Sequence, residues 1–178
     1  MCWARRFWSP VKSIFFPARG GALIGYLQMK NKKPKKPFWK TKTLTEMTSK
    51  EWESLCDGCG RCCLYVLHNQ DTGDVFETDV ACKLFDAKKR RCTDYDNRQS
   101  RVPDCVRLTP ENAGGLHWMP DTCAYKRLAN GQDLLPWHPL LTGDPKSVER
   151  AGIAVPDDLI PEGEIDEELL ESRITRER

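Results

Sequence analysis

Leu55-Cys56-Asp57-Gly58-Cys59-Gly60-Arg61-Cys62-Cys63-Leu64 sets four thiols in the pattern C-x-x-C-x-x-C-C. Cys56, Cys59 and Cys62 are each separated by two residues, so a chain wrapping around one point can aim all three at it. Gly58 and Gly60 permit the tight backbone geometry that such wrapping needs. Spacing of this kind reads as metal ligation and organises a small fold around it. Three close cysteines with a distant fourth is the arrangement of four-iron clusters. Cys56-Asp57-Gly58-Cys59-Gly60 taken alone is equally a zinc-ribbon knuckle, and zinc asks of four thiolates only a tetrahedron. Zinc and an iron-sulfur cluster both stay open.

Cys62 and Cys63 are neighbours, whose side chains generally diverge, so one of them is expected to face a second site. Cys82, Cys92, Cys105 and Cys123 raise the count to eight, which is two sets of four and leaves only Cys2 unused. Two four-thiolate sites, or one cluster plus one zinc, would use them all. The bland reading is that some later cysteines, Cys123 first among them, are small buried hydrophobes. His68, His117 and His138 have no ligand spacing to the thiols. His138, in Leu135-Pro136-Trp137-His138-Pro139, reads as a hydrogen-bonded structural imidazole near the site. Asp94, Tyr95 and Arg98 follow Cys92 closely and are candidates to touch thiolates from outside, although a surface turn would look the same.

The 178 residues suit one compact domain with loose ends. With 39% hydrophobic positions, 30% charged positions and a mean hydropathy of -0.60, the apolar core should be small, leaving metal to carry part of the stability. Tight C-x-x-C spacing without a convincing export signal points to thiolates in the reducing cytoplasm. The net charge of +2 hides polarity: residues 1–45 hold eleven Lys or Arg and no acid, whereas the rest hold seventeen against twenty-six Asp or Glu. The basic run Lys30 to Lys36 reads as a solvated tail, with nucleic acid or anionic lipid as the other reading. The longest uncharged run there, Gly20 to Met29, is only ten residues, against about 20 for a membrane span. A chain start at Met29 explains this segment better than a signal peptide.

Order is expected from Phe38 and Trp39. Thr48-Ser49-Lys50-Glu51 is a capping-box pattern opening a short helix that delivers Cys56. Leu64–His68 and Val75–Thr78 flank the turn-rich Asn69–Asp74 and read as a hairpin. Thr109-Pro110-Glu111 reads as another helix start, and Asp121–Ala129, closed by Asn130-Gly131, as a further short helix. Glu164–Arg173 could form an amphipathic helix on Ile165, Leu169 and Leu170, but a peripheral or frayed acidic tail is the favoured reading. The divisions are therefore 1–37, a basic disordered extension; 38–160, the cysteine-cluster domain; and 161–178, the acidic tail. The expected fold class is α+β: a small, loop-rich single domain organised around cysteine-bound metal.

The run Glu51 to Leu64 resembles the YkgJ-type CxxCxxCC cysteine-cluster family, a zinc- or iron-chelating domain, and within it the YcgN-like bacterial branch. The similarity continues through Phe38-Trp39, Val80-Ala81-Cys82, Cys92 with Tyr95, Pro103-Asp104-Cys105, Thr122-Cys123-Ala124-Tyr125 and Trp137 to Gly143. It implies metal binding and assigns no reaction. Related segments accompany flagellin lysine methylases, but no glycine-rich cofactor loop is present here to carry that activity across.

The functional expectation is a cytoplasmic metal-binding protein holding an iron-sulfur cluster or zinc, in one or two centres, through Cys56, Cys59, Cys62, Cys63, Cys82, Cys92, Cys105 and Cys123. The alternative is an iron-sulfur redox protein or accessory subunit acting with a protein partner. The acidic ordered region argues against nucleic acid. No Ser-His-Asp signature, H-E-x-x-H or phosphate loop supports a hydrolase, protease or kinase.

Overall fold

A computed structural model describes residues 36–178 of the chain. The basic extension up to Lys35, with the proposed start at Met29 and Cys2, lies outside the described residues. From Phe38 the chain makes two single 3-10 turns, Phe38–Lys40 and Leu44–Glu46, and then α1, Ser49–Glu53. Helix α1 begins where the capping box was expected: Thr48 Oγ1 accepts the Glu51 N–H, and the Glu51 carboxylate accepts the Thr48 N–H.

The predicted hairpin forms as β1, Leu64–His68, and β2, Val75–Ala81, paired antiparallel with His68 opposite Val75 and Leu64 opposite Ala81. Asn69 and Gly73 make its turn: the Asn69 carboxamide accepts the Asp71 N–H, and Gly73 takes a φ of 80°. A two-stranded ribbon follows, β3 (Phe85–Asp86) on β4 (Arg91–Cys92). Four short helices come next: α2, Arg98–Arg101; α3, Ala124–Ala129; α4, Pro139–Thr142; and α5, Ser147–Arg150. Helix α3 ends as read, on Asn130 and a left-handed Gly131 with φ 71°, but starts at Ala124, with Asp121–Cys123 as its lead-in.

Two expectations are corrected. Thr109 opens only a turn, its carbonyl accepting the Asn112 and Ala113 N–H groups, because Gly114-Gly115 follows and glycine is a poor helix former. Glu164–Arg173 is not an α-helix, nor is the segment frayed. Residues 167–173 form 3-10 turns that bury Leu170 and leave Leu169 exposed. Beyond them β6, Ile174–Glu177, pairs antiparallel with β2, and β5, Ile160–Pro161, pairs parallel with it. Strand β2 would otherwise present a row of unpaired backbone groups, and these two segments satisfy it. It is accordingly the central strand, with Val75, Glu77, Thr78, Val80 and Ala81 all buried.

The apolar interior is small, as the composition implied, and falls into two clusters. One gathers Leu55, Ala113, Ala124, Tyr125 and Leu134, with Trp39 and Trp52 at its margin; the other holds Leu64, Ala81 and Val155, with Phe85 against it. Leu55 and Leu64 immediately precede and follow the cysteine run, so the loop of residues 56–63 joins the two clusters. The described residues form the small, loop-rich α+β domain that the sequence indicated, without a helix long and apolar enough to cross a membrane.

Candidate metal centre

The backbone reaches Cys56 already constrained. The Leu55 and Cys56 N–H groups bond back to the carbonyls of Trp52 and Glu53, and the Leu55 carbonyl accepts a hydrogen bond from His138 Nε2 at 3.0 Å. His138 is 1% exposed, and its Nδ1 accepts the Leu140 N–H at 3.1 Å, so the proton sits on Nε2. His138 is therefore a structural imidazole, seated by Pro139 at the start of α4.

Within the loop, Asp57 Oδ1 accepts the Cys59 N–H at 3.0 Å and closes a local turn. Gly58 has φ 73°, and its carbonyl accepts Arg90 Nε at 3.1 Å. Gly60 has φ 80°, and a Cβ there would lie 2.6 Å from Phe85 Cζ and 2.7 Å from Val155 Cγ2. The Cys59 carbonyl accepts the Val155 N–H at 2.8 Å, fixing the loop against the second apolar cluster. Arg61 turns inward to the buried Glu77 of β2, Nε to Oε2 at 2.8 Å.

The other cysteines arrive on different elements. Cys82 lies just past β2 and donates its N–H to the Cys63 carbonyl. Cys92 stands opposite Phe85 in the ribbon, Cys105 follows α2, and Cys123 is the N-cap of α3. All eight described cysteines are free thiols.

Burial and one another's charge shift their titration. Burial pushes the Cys56 thiol up to about 12, with the charges of Cys62, Asp57 and Cys123 adding to it. Cys59 is raised by burial, then by Asp57, Cys62 and Cys56. Cys123 is pushed up to about 11, again by burial first and then by Cys62 and Asp57. Contact with the Cys63 thiol is the largest cause of the rise at Cys62, ahead of burial. Residues 61–63 form a 3-10 turn, which separates neighbouring side chains by about 120°. Cys56 and Cys62 retain exposed surface while their sulfurs are crowded by protein, which places them at the mouth of the group.

A second group comprises Cys82 and Cys105, both raised by burial first and each feeling the other or Cys92. Cys105 also feels Cys62, which links the groups, while Arg98 contacts its thiol and lowers it. Of the outlying candidates, Arg98 therefore touches a cysteine, whereas Tyr95 hydrogen-bonds Glu53 and Asp94 holds Asn97. His68 and His117 face each other on the exposed surface with ring centroids 5.3 Å apart.

Among the described residues, no three His, Cys, Asp or Glu side chains close around a single point. The donor chemistry is nonetheless of the kind that binds iron or zinc, eight free thiols in one small domain, and Asp57 Oδ2 is buried without a hydrogen-bond partner. Sequence reading missed Asp57, Arg90 and the Arg61–Glu77 pair. The only local signal was Asp57-Gly58, a turn dipeptide inside the motif.

Residues 55–124 match the family described as "CxxCxxCC: Putative zinc- or iron-chelating domain", a span that runs from one residue before Cys56 to one after Cys123. The chain is 56% identical over 129 residues to a UPF0260 protein of Caulobacter vibrioides, covering 72% of this chain and 80% of that protein. It is 54% identical over 138 residues to one from Rhizobium etli, covering 78% and 87%, and 53% identical over 138 residues to one from Parvibaculum lavamentivorans, covering 78% and 90%. No solved structure gives a significant match. With more than half of the aligned residues identical over most of the length of such relatives, the chain belongs to the UPF0260 family.

Proposed function

We propose that this chain is a cytoplasmic metal-binding protein whose residues 38–160 hold iron or zinc as thiolate complexes. Its ligands are drawn from Cys56, Cys59, Cys62 and Cys63 together with Cys82, Cys92, Cys105 and Cys123, in one or two centres. The observation that carries the reading is the match of residues 55–124 to a chelating-domain family, on a chain whose eight described cysteines are free thiols and whose loop 56–63 is fixed by His138, Arg90 and Val155. A chain that gathers thiols so closely, without bonding them as disulfides, gains most when a cation replaces their protons. The absence of disulfides among the described cysteines suits a reducing compartment. Bound metal would cross-link the two small apolar clusters through the loop between them, and an iron-sulfur cluster would add electron transfer. The linked second group around Cys82, Cys92 and Cys105 favours the redox or accessory-subunit reading as the alternative, because two neighbouring centres suit electron relay.

Elemental analysis and a visible spectrum of anaerobically purified protein test this. Colourless protein with stoichiometric zinc assigns a zinc-thiolate protein; brown protein with iron and acid-labile sulfide assigns the cluster. Protein without either metal overturns the reading. Cys59→Ser should lose metal, whereas Cys2→Ser should keep it.

A further inference from the structure

Two guanidinium groups are buried beside one carboxylate. The side chains of Arg61, Arg178 and Glu77 are 9%, 3% and 4% exposed, and the half-exposed Arg176 adds a third cation, 3.4 Å from Glu77 Oε1. Among the described residues no other carboxylate pairs with any of the three. Residues 1–35 contain no Asp or Glu, so that segment has no acidic side chain to bring either. A buried cation without a counterion is costly, and the charge still unmatched here is positive.

The two buried guanidiniums open into a cavity of about 220 Å³, whose wall also includes His117, Met119 and Thr122. Arg61 gives Nε and Nη2 to Glu77, which leaves Nη1 without a bond to the described residues. Arg178 is held rigidly: Nε bonds Glu77, Nη1 the Trp118 carbonyl and Nη2 the Arg61 carbonyl. Thr122 Oγ1 is buried and has no hydrogen-bond partner. Asp121, the one carboxylate on the wall, is 91% exposed and paired with Lys126 at 2.9 Å. The cavity is thus positive, with a spare hydroxyl. It is also smaller than the roughly 300–1,000 Å³ pockets that take drug-sized ligands, which leaves room for a small ion and not for a nucleotide.

We propose that this cavity binds a small oxyanion of the phosphate or carboxylate class, held by the charge of Arg61 and Arg178 and by a hydrogen bond from the Thr122 hydroxyl. Guanidinium is weakly hydrated and matches both kinds of oxyanion in geometry. The site uses no thiol, so it stands or falls separately from the metal-binding reading.

Calorimetric titration of the full chain with inorganic phosphate, sulfate and succinate, at an ionic strength fixed with sodium chloride, tests this. Wild type should bind at least one of them saturably, one per chain. Thr122→Val keeps the side-chain shape and deletes only the unpartnered hydroxyl. It should melt no lower than wild type without anion and bind the anion at least about tenfold more weakly. Arg178→Gln should show no saturable binding. Phosphate held instead by the Lys30 to Lys36 run, or by bound metal, would be insensitive to both substitutions. Absence of saturable binding by wild type, or unchanged affinity in Thr122→Val, overturns the assignment. If Arg178→Gln fails to fold, Thr122→Val decides alone. Tighter binding of phosphate and sulfate than of succinate names a phosphate-type ligand and the reverse order a carboxylate; either order upholds the site.

Discussion

Gly58 and Gly60 look equivalent in C-D-G-C-G and are not. Both have left-handed φ, but a Cβ at Gly58 meets open space, whereas at Gly60 it would collide with Phe85 and Val155. Gly58→Ala should therefore cost only the backbone penalty, about 1 kcal/mol. Gly60→Ala adds overpacking and should cost about 3 kcal/mol. Urea denaturation of the two variants checks this, and equal losses would show that Phe85 and Val155 yield freely. His138 shows a similar division of labour. Its Nε2–H holds the carbonyl of the residue before Cys56, so the entry to the loop depends on an imidazole 83 residues away.

At the scale of elements, none of the α-helices among the described residues exceeds six residues, so each needs a cap or a tertiary partner. Helix α1 has both: the Thr48/Glu51 box at its start, and Trp52 packed on Tyr125 of α3 with ring centroids 4.7 Å apart. Lys42 and the Thr48 N–H hold the Glu51 carboxyl below its ordinary value of 4.5. A carboxylate depressed on folding contributes stability above its unfolded pKa and loses it as pH falls through the folded one. Glu51→Gln should thus be less stable than wild type at pH 6, and the gap should close as pH drops below about 4.5. Thermal melts of both proteins between pH 6 and pH 3.5 read this; a gap independent of pH would place the role of Glu51 in its backbone geometry instead of its charge. Other depressed carboxyls such as Asp86 and Asp144 titrate equally in both proteins and cancel from the difference.

On the scale of the whole molecule, the metal loop is tied to the C-terminal strand through β2. Glu77 receives Arg61 from the loop and Arg178 from beyond β6, all three side chains under 10% exposed, and Arg178 also donates to the Arg61 carbonyl. Removing residues 174–178 would take two guanidinium groups, Arg176 and Arg178, from Glu77 and uncover part of the β2 edge. The truncated protein should lose about 3–5 kcal/mol and associate through the open edge. Urea denaturation and sedimentation measure the two effects, and a truncation as stable as the full chain would show that Glu77 is satisfied by Arg61 alone.

The sequence by itself determined what depends on a few adjacent residues: the C-x-x-C-x-x-C-C loop and its glycines, the capping box of α1, the Asn69–Asp74 hairpin turn, the Asn130-Gly131 stop, and the small core implied by sparse apolar residues. Each is set by interactions spanning one turn of chain, so residue type and spacing suffice to read it. Tertiary structure decided what requires distant segments to meet. Trp52 of α1 meets Tyr125 of α3 across 73 residues; β6 lies on β2 because that strand had a free edge; Glu77 meets Arg178 across 101 residues. Such pairings leave no local signature, since the physical advantage of burying an edge, a guanidinium or a thiol exists only once the partner has arrived. The same holds for Asp57, an ordinary turn residue in the sequence, whose carboxylate is buried only once the chain around it has folded.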